Sequence, residues 1–151
     1  MAELYTAESL QPSGSVGYLV NKVRLVLNAE VDRELEPLDI TAAQFAIMAH
    51  LAFDLADSAS ALCSGMDYDP GAMTRMVDRL EAKGFVRRVR ERGDRRKLRL
   101  ELTEEGKAAF PKMKARVVVV LNRLLSDFSK AEAAKLREFL KRMLANAEAS
   151  A

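Results

Sequence analysis

At Gly84 the hydrophobic period of the chain changes from 3.6 to 2, and at Thr103 it changes back. A period of 3.6 lays apolar side chains along one stripe of a helix, and a period of 2 lays them on one face of a strand. The switch therefore dictates helix, then paired strands, then helix. Before it, Met73, Met76, Val77 and Leu80 recur at helical spacing, with Asp69-Pro70 ahead of them and Gly84 behind. An aspartate N-cap and a proline at the first helical position start a helix, and a glycine in the left-handed region ends one. After the switch, Phe85, Val86 and Val89 lead into a turn around Gly93-Asp94, and Leu98, Leu100 and Leu102 alternate with Lys97, Arg99 and Glu101. This is a β-hairpin.

The flanks read as helices. Val16, Leu19, Val20, Val23, Val26, Leu27, Val31 and Leu35 share one stripe ahead of Pro37, a helix of about six turns. Thr41 and Gln44 form a capping box between Ile40 and Phe45, which starts a second helix running to about Phe53. Residues 58 to 65 suit a short third helix with Ala59, Leu62, Cys63 and Met66 on one face. A short turn separates it from the helix at Pro70, which makes a helix-turn-helix. Thr103, with Glu104 and Glu105, caps a fifth helix carrying Phe110, Met113, Val117, Val120, Leu121, Leu124 and Phe128, with Pro111 as a candidate kink. Ser129 and Glu132 box the sixth, whose face is Leu136, Phe139, Leu140, Met143 and Leu144. The valine run at 117–120 has strand propensity, but its helical flanks outweigh it. Residues 1 to 14 read as a loosely held arm.

Composition removes several classes. With 49% hydrophobic residues, only 7 Gly and 4 Pro in 151 residues, the chain is expected to fold as one domain, 1–151. No apolar run approaches the ~20 residues that span a bilayer, so a cytoplasmic protein with no membrane partner is expected. A single cysteine, Cys63, and a single histidine, His50, allow neither an internal disulfide nor an ordinary zinc site. With no Gly-rich phosphate loop and no paired acid and base either, the expectation is no catalytic residue, no metal and no cofactor. Cys63 on a core face reads as inert, with a thiol sensor as the other reading. His50 reads as a core or edge histidine, with a ligand-sensing role as the other.

The net charge of +2 hides a segregation. Residues 1 to 69 hold eleven acidic and three basic side chains, whereas residues 70 to 102 hold eleven basic and five acidic. A helix-turn-helix followed by a basic hairpin is a winged helix. The side of its second helix away from the core carries Gly71, Thr74, Arg75, Asp78 and Arg79, and the hairpin carries Arg87, Arg88, Arg90, Arg92, Arg95, Arg96, Lys97 and Arg99. A helix fits the major groove, arginine forks suit guanine or phosphate, and a basic hairpin suits backbone and minor groove. Double-stranded DNA is the expected partner; the alternative is a winged-helix interaction module that binds an acidic protein. The fold class is mainly α with a small β-hairpin wing, its core closing within 41–106. The helices at 16–36 and 107–147 then offer apolar stripes for a homodimer, or pack together within one monomer.

The segment DYDPGAMTRMVDRLEAKGFVRRVRERGDRRKLRLELTEEG, with its Asp-x-Arg pattern ahead of Leu-x-Leu-Thr, resembles the winged-helix core of the MarR family of bacterial transcriptional regulators. The matching stretch covers about 41 to 106. The resemblance implies a homodimer on palindromic operator DNA, acting as a repressor that a small aromatic effector releases. Carried over, Thr74, Arg75 and Arg79 would contact the major groove, Arg96 would enter the minor groove oriented by Asp94, and Arg95 is a second wing-tip candidate. Tyr18 and His50 would line the cleft that takes up small aromatic acids.

Overall fold

The computed structural model describes residues 3–150, with Arg95 and Arg96 described as strand backbone only. Its elements run α1 Val16–Leu35, α2 Ala42–Ala52, α3 Ala59–Met66, α4 Pro70–Ala82, β1 Val86–Glu91, β2 Asp94–Leu102, α5 Glu104–Leu124 and α6 Lys130–Glu148. Each helix starts at a side chain that accepts an otherwise orphaned backbone N–H. Ser15, Ser58, Asp69 and Thr103 accept from Tyr18, Ala61, Ala72 and Gly106. Both expected capping boxes close, at Thr41 with Gln44 and at Ser129 with Glu132. The valine run is helical, and α5 passes through Pro111 as one element. The arm is better anchored than a loose one: the Val16 N–H donates to the Tyr5 hydroxyl at 3.1 Å.

α4 ends in a Schellman turn. Gly84, at φ +77°, donates to the Glu81 carbonyl at 2.9 Å and Phe85 to that of Leu80 at 3.0 Å. β1 and β2 then pair antiparallel, Val86 opposite Leu102 and Arg88 opposite Leu100, around a tip in which Gly93 takes φ +100°. Leu100 and Leu102 are buried, but Leu98 is 47% exposed. The alternation that placed Leu98 with them holds for the strand and not for its burial, because the hairpin projects past the helices it packs on. Ala59, placed on the core face of α3 by spacing, is likewise exposed.

The core is larger than the winged helix. Ile47, Met48, Leu62, Met73, Val77, Leu80 and Val86 are buried together with Val31 and Leu35 of α1 and Phe110, Met113 and Val120 of α5. The expectation that 41–106 closes its own core is therefore corrected. The Phe110 ring stacks on Phe45 with centroids 5.6 Å apart and meets Phe53 edge-on at 6.0 Å, both favourable arrangements for aromatic quadrupoles. α2 has an apolar face too wide for α3 and α4 alone, and α5 covers the remainder. Glu30 pairs with Arg123 at 2.6 Å and Glu34 with Arg116 at 3.2 Å; partner numbers that fall as α1 advances make the two helices antiparallel. α6 buries no residue within the chain. No helix among the described residues is long and apolar enough to cross a membrane.

The hairpin is shut at its base. The Thr103 hydroxyl donates to the Gly84 carbonyl at 2.5 Å and the Thr103 N–H to that of Phe85 at 3.0 Å. Gly106, in the first turn of α5, lies so close that a Cβ there would overlap the Phe85 carbonyl oxygen and sit 2.9 Å from its carbon. Helix propensity alone would make Gly106→Ala stabilising by up to ~1 kcal/mol. A backbone clash outweighs that, so Gly106→Ala is expected to lower the urea unfolding free energy by ~2 kcal/mol or more. An unchanged or raised value would contradict the close approach.

Candidate nucleic-acid interface

α4 presents one face to solvent, with Gly71, Thr74, Arg75, Asp78 and Arg79 all exposed on it. Its first turn is held by Asp69, whose Oδ1 accepts from the Ala72 N–H at 3.0 Å, and by Thr74, whose hydroxyl donates to the Pro70 carbonyl at 2.8 Å. Gly71 keeps this turn bare: a Cβ there would stand 3.1 Å from Asp69 Oδ1 and 3.5 Å from an Arg75 guanidinium nitrogen. Arg75 thus lies back over the N-terminal turn, the direction in which helical side chains lean.

The two arginines of α4 have different surroundings. Arg79 lines a cleft with Asp32 of α1 and with Glu36 and Asp39 of the turn that follows it, and Lys83 lies in the same cleft. Lys83 pairs with Asp39 Oδ2 at 2.9 Å and also donates to the Asp39 carbonyl. Arg75 has no acidic residue in ion-pair range among the described residues and stands at the more open end of the helix.

The hairpin cations also divide. Arg88 donates to Asp78 at 2.6 Å and to Glu81 at 2.8 Å. Its pKa is raised, chiefly by the hydrogen bond to Asp78, against the effect of burial. Arg87 reaches Glu101 at 2.5 Å and Arg99 reaches it at 3.2 Å. The hydrogen bond from Arg87 is the main reason that the Glu101 carboxyl lies below its usual range. Arg90, Arg92 and Lys97 carry no ion pair among the described residues. In the sequence all of these are cations of one basic hairpin. The signal for the division was the pair Asp78 and Glu81, one turn apart on the exposed side of a helix that precedes a basic hairpin.

Asp94 opens β2 opposite Glu91. The side chains of Arg95 and Arg96, and with them the orientation of Arg96 by Asp94, lie outside the described residues. Tyr18 is 47% exposed on the first turn of α1. His50 Nδ1 is 2.7 Å from the Ala46 carbonyl, and its Nε2 faces Gly65 of α3. Among the described residues no hydrogen bond joins Tyr18 to His50. A cavity of about 760 Å³ lies elsewhere, with Leu51, Leu55, Leu100 and Phe110 together with Arg99 and Lys107 in its lining. Cys63 is half-buried against the core.

Comparison with known proteins gives a consistent result. A family model described as MarR family matches residues 38–97. The multiple antibiotic resistance protein MarR of Salmonella typhimurium is 34% identical over 136 residues, 88% of this chain and 91% of that protein. Its Escherichia coli counterpart is 32% identical over 130 residues, 85% and 90% of the two chains. Among solved structures, a mutant Escherichia coli MarR complexed with operator DNA superposes with a TM-score of 0.75 at 32% identity, covering 85% of this chain and 93% of that one.

The Arg87–Glu101 geometry predicts a titration. A carboxylate whose folded-state pKa is depressed contributes stability above its ordinary range and loses it as pH falls through the folded value. In a carboxyl NMR titration Glu101 is expected to titrate below the usual glutamate range, and Arg87→Gln should move it back up. A Glu101 midpoint that does not respond to Arg87→Gln would show that the pair is not formed in solution.

Proposed function

The chain belongs to the MarR family of winged-helix transcriptional regulators, and from that membership we propose that it is a homodimeric cytoplasmic repressor that holds a palindromic operator until a small ligand releases it. The observation that carries this reading is the bare N-terminal face of α4 beside a hairpin in which Arg90, Arg92 and Lys97 carry no ion pair among the described residues. Gly71 and Thr74 let the helix approach the major groove, and Arg75 is placed for a base edge or a phosphate. Arg90, Arg92 and Lys97 suit phosphates, and the sequence adds Arg95 and Arg96 at the wing tip. The operator complex of the Escherichia coli relative supports the same role here. Arg79, close to Asp32 and Glu36, serves as a weaker contact than Arg75.

Residues 41–106 are the DNA-reading unit in this reading, and 16–36 with 107–147 supply dimerisation helices. Leu19, Val20 and Val23 of α1, Leu121 and Leu124 of α5, and Leu136, Phe139, Leu140 and Met143 of α6 stay exposed in one chain. A monomer rarely leaves so much apolar helix uncovered, and a two-fold partner covers it. Two recognition helices about 34 Å apart then meet successive major grooves. For the effector, the cavity beside Phe110 is favoured over Tyr18 and His50, because it sets Leu51, Leu55 and the Phe110 ring beside Arg99 and Lys107, with Asp54, Asp57 and Glu101 in the same lining.

Two measurements test the proposal. Sedimentation equilibrium at micromolar concentration is expected to give twice the 16.8 kDa chain mass; the monomer mass would reject the dimer. On a duplex selected from a random pool, Arg75→Ala should weaken binding by about 1 to 3 kcal/mol per half-site and relax sequence preference. Arg96→Ala should weaken selected and scrambled duplex alike and flatten the dependence of log K on log salt. If all three proteins bind both duplexes alike and with one salt slope, the basic segment is a solvated surface.

A further inference from the structure

We propose that Arg88 is a positioning residue for DNA recognition, bracing the wing against α4 through Asp78 and Glu81 while it screens those two carboxylates from the phosphates. The inference rests on the DNA-binding reading above. Between the end of α4 and β1 the chain has only the short Schellman turn through Lys83, Gly84 and Phe85, with Gly84 at φ +77°. Among the described residues, every hydrogen bond from β1 to α4 comes from Arg88. Its backbone N–H donates to Glu81 Oε2 at 3.3 Å, and its two terminal nitrogens reach Glu81 Oε1 at 2.8 Å and Asp78 Oδ1 at 2.6 Å. The planar fork therefore spans one turn of α4, which fixes both the distance and the roll of the hairpin relative to the helix. Lysine, a single point donor, cannot hold two carboxylates in this way.

Exposure sets Arg88 apart from its neighbours. Its side chain is 27% exposed, against 57% for Arg87 and 51% for Arg99. It faces the protein. Asp78 and Glu81 remain more open, and Asp78 lies on the exposed face between Arg75 and Arg79. A bare carboxylate at that place repels a phosphate backbone, and an arginine fork cancels its charge locally. One side chain thus serves geometry and electrostatics together.

The test compares Arg88→Lys with the double variant Asp78→Ala/Glu81→Ala. Chain charge is unchanged in the first and rises by two in the second, yet both remove the two-carboxylate brace. The ratio of selected-duplex to scrambled-duplex affinity is expected to fall about tenfold in each. In the double variant this happens although binding to scrambled duplex tightens. Adding Arg88→Lys to the double variant should cost no further specificity, because the brace is already gone. Circular dichroism and melting temperature check that each variant is folded. Should Arg88→Lys fail to fold, the double variant decides alone. A direct phosphate contact gives the opposite pattern: Arg88→Lys keeps the ratio, and the double variant tightens both duplexes equally, which overturns the proposal. Failure of the wild-type protein to bind duplex with a salt dependence would overturn the DNA-binding reading itself, a distinct result.

Discussion

The backbone contact between Gly84-Phe85 and Thr103-Gly106 holds the molecule in its working shape. The chain leaves α4 at Gly84, travels out and back along the hairpin, and returns to the point of departure. There Thr103 closes two hydrogen bonds and also caps α5. One threonine therefore ends the hairpin, starts the next helix and ties both to the end of α4. Gly106 permits this because no side chain separates α5 from the Phe85 carbonyl. A larger residue would lever α5 away from β1, and with it Phe110 from Phe45 and Phe53. The aromatic cluster and the hairpin base thus depend on one close approach.

Charge partition follows from this geometry. Eleven basic residues in residues 70–102 repel one another in the folded state, and part of that charge is answered internally. Glu101 sits opposite Arg87 in the ladder and gathers Arg87 and Arg99. Asp78 and Glu81 gather Arg88. These pairs are partly solvated, so each contributes modestly to stability. Their larger effect is directional: Arg87, Arg88 and Arg99 are paired, whereas Arg90, Arg92 and Lys97 carry no ion pair among the described residues and in the proposed function face the DNA.

What the sequence made legible was local. Thr41 with Gln44, Ser129 with Glu132, Asp69 ahead of Pro70 and Gly84 after α4 announce helix ends because a cap and its helix are a few residues apart. The hairpin was legible for the same reason. Contacts between distant residues were not. Nothing in a linear reading pairs Phe45 with Phe110, Glu30 with Arg123 or Asp57 with Leu100, whose N–H donates to the Asp57 carbonyl at 2.7 Å. The error of closing the core within 41–106 came from counting apolar residues without knowing how wide a face α2 exposes. Grouping Arg88 with the DNA-facing cations came from treating charge as composition, when the fork of Arg88 had already been taken by Asp78 and Glu81.

α5 joins the two halves of this picture. At 1.5 Å per residue it is about 31 Å long, and it runs unbroken through Pro111. Its first half carries Phe110 and Met113 into the core under the winged helix, whereas Leu121 and Leu124 near its end are exposed. In the proposed dimer the same rod would pack against the partner at one end and against α2 and the hairpin base at the other. The separation of the two α4 helices would then depend on the packing of Phe110 between Phe45 and Phe53. The cavity beside Phe110 shares this wall. A ligand that shifts the Phe110 ring would alter the α2–α5 contact first and the spacing of the recognition helices second, with no contact to DNA required. Differential affinity for the two spacings would be the physical source of release.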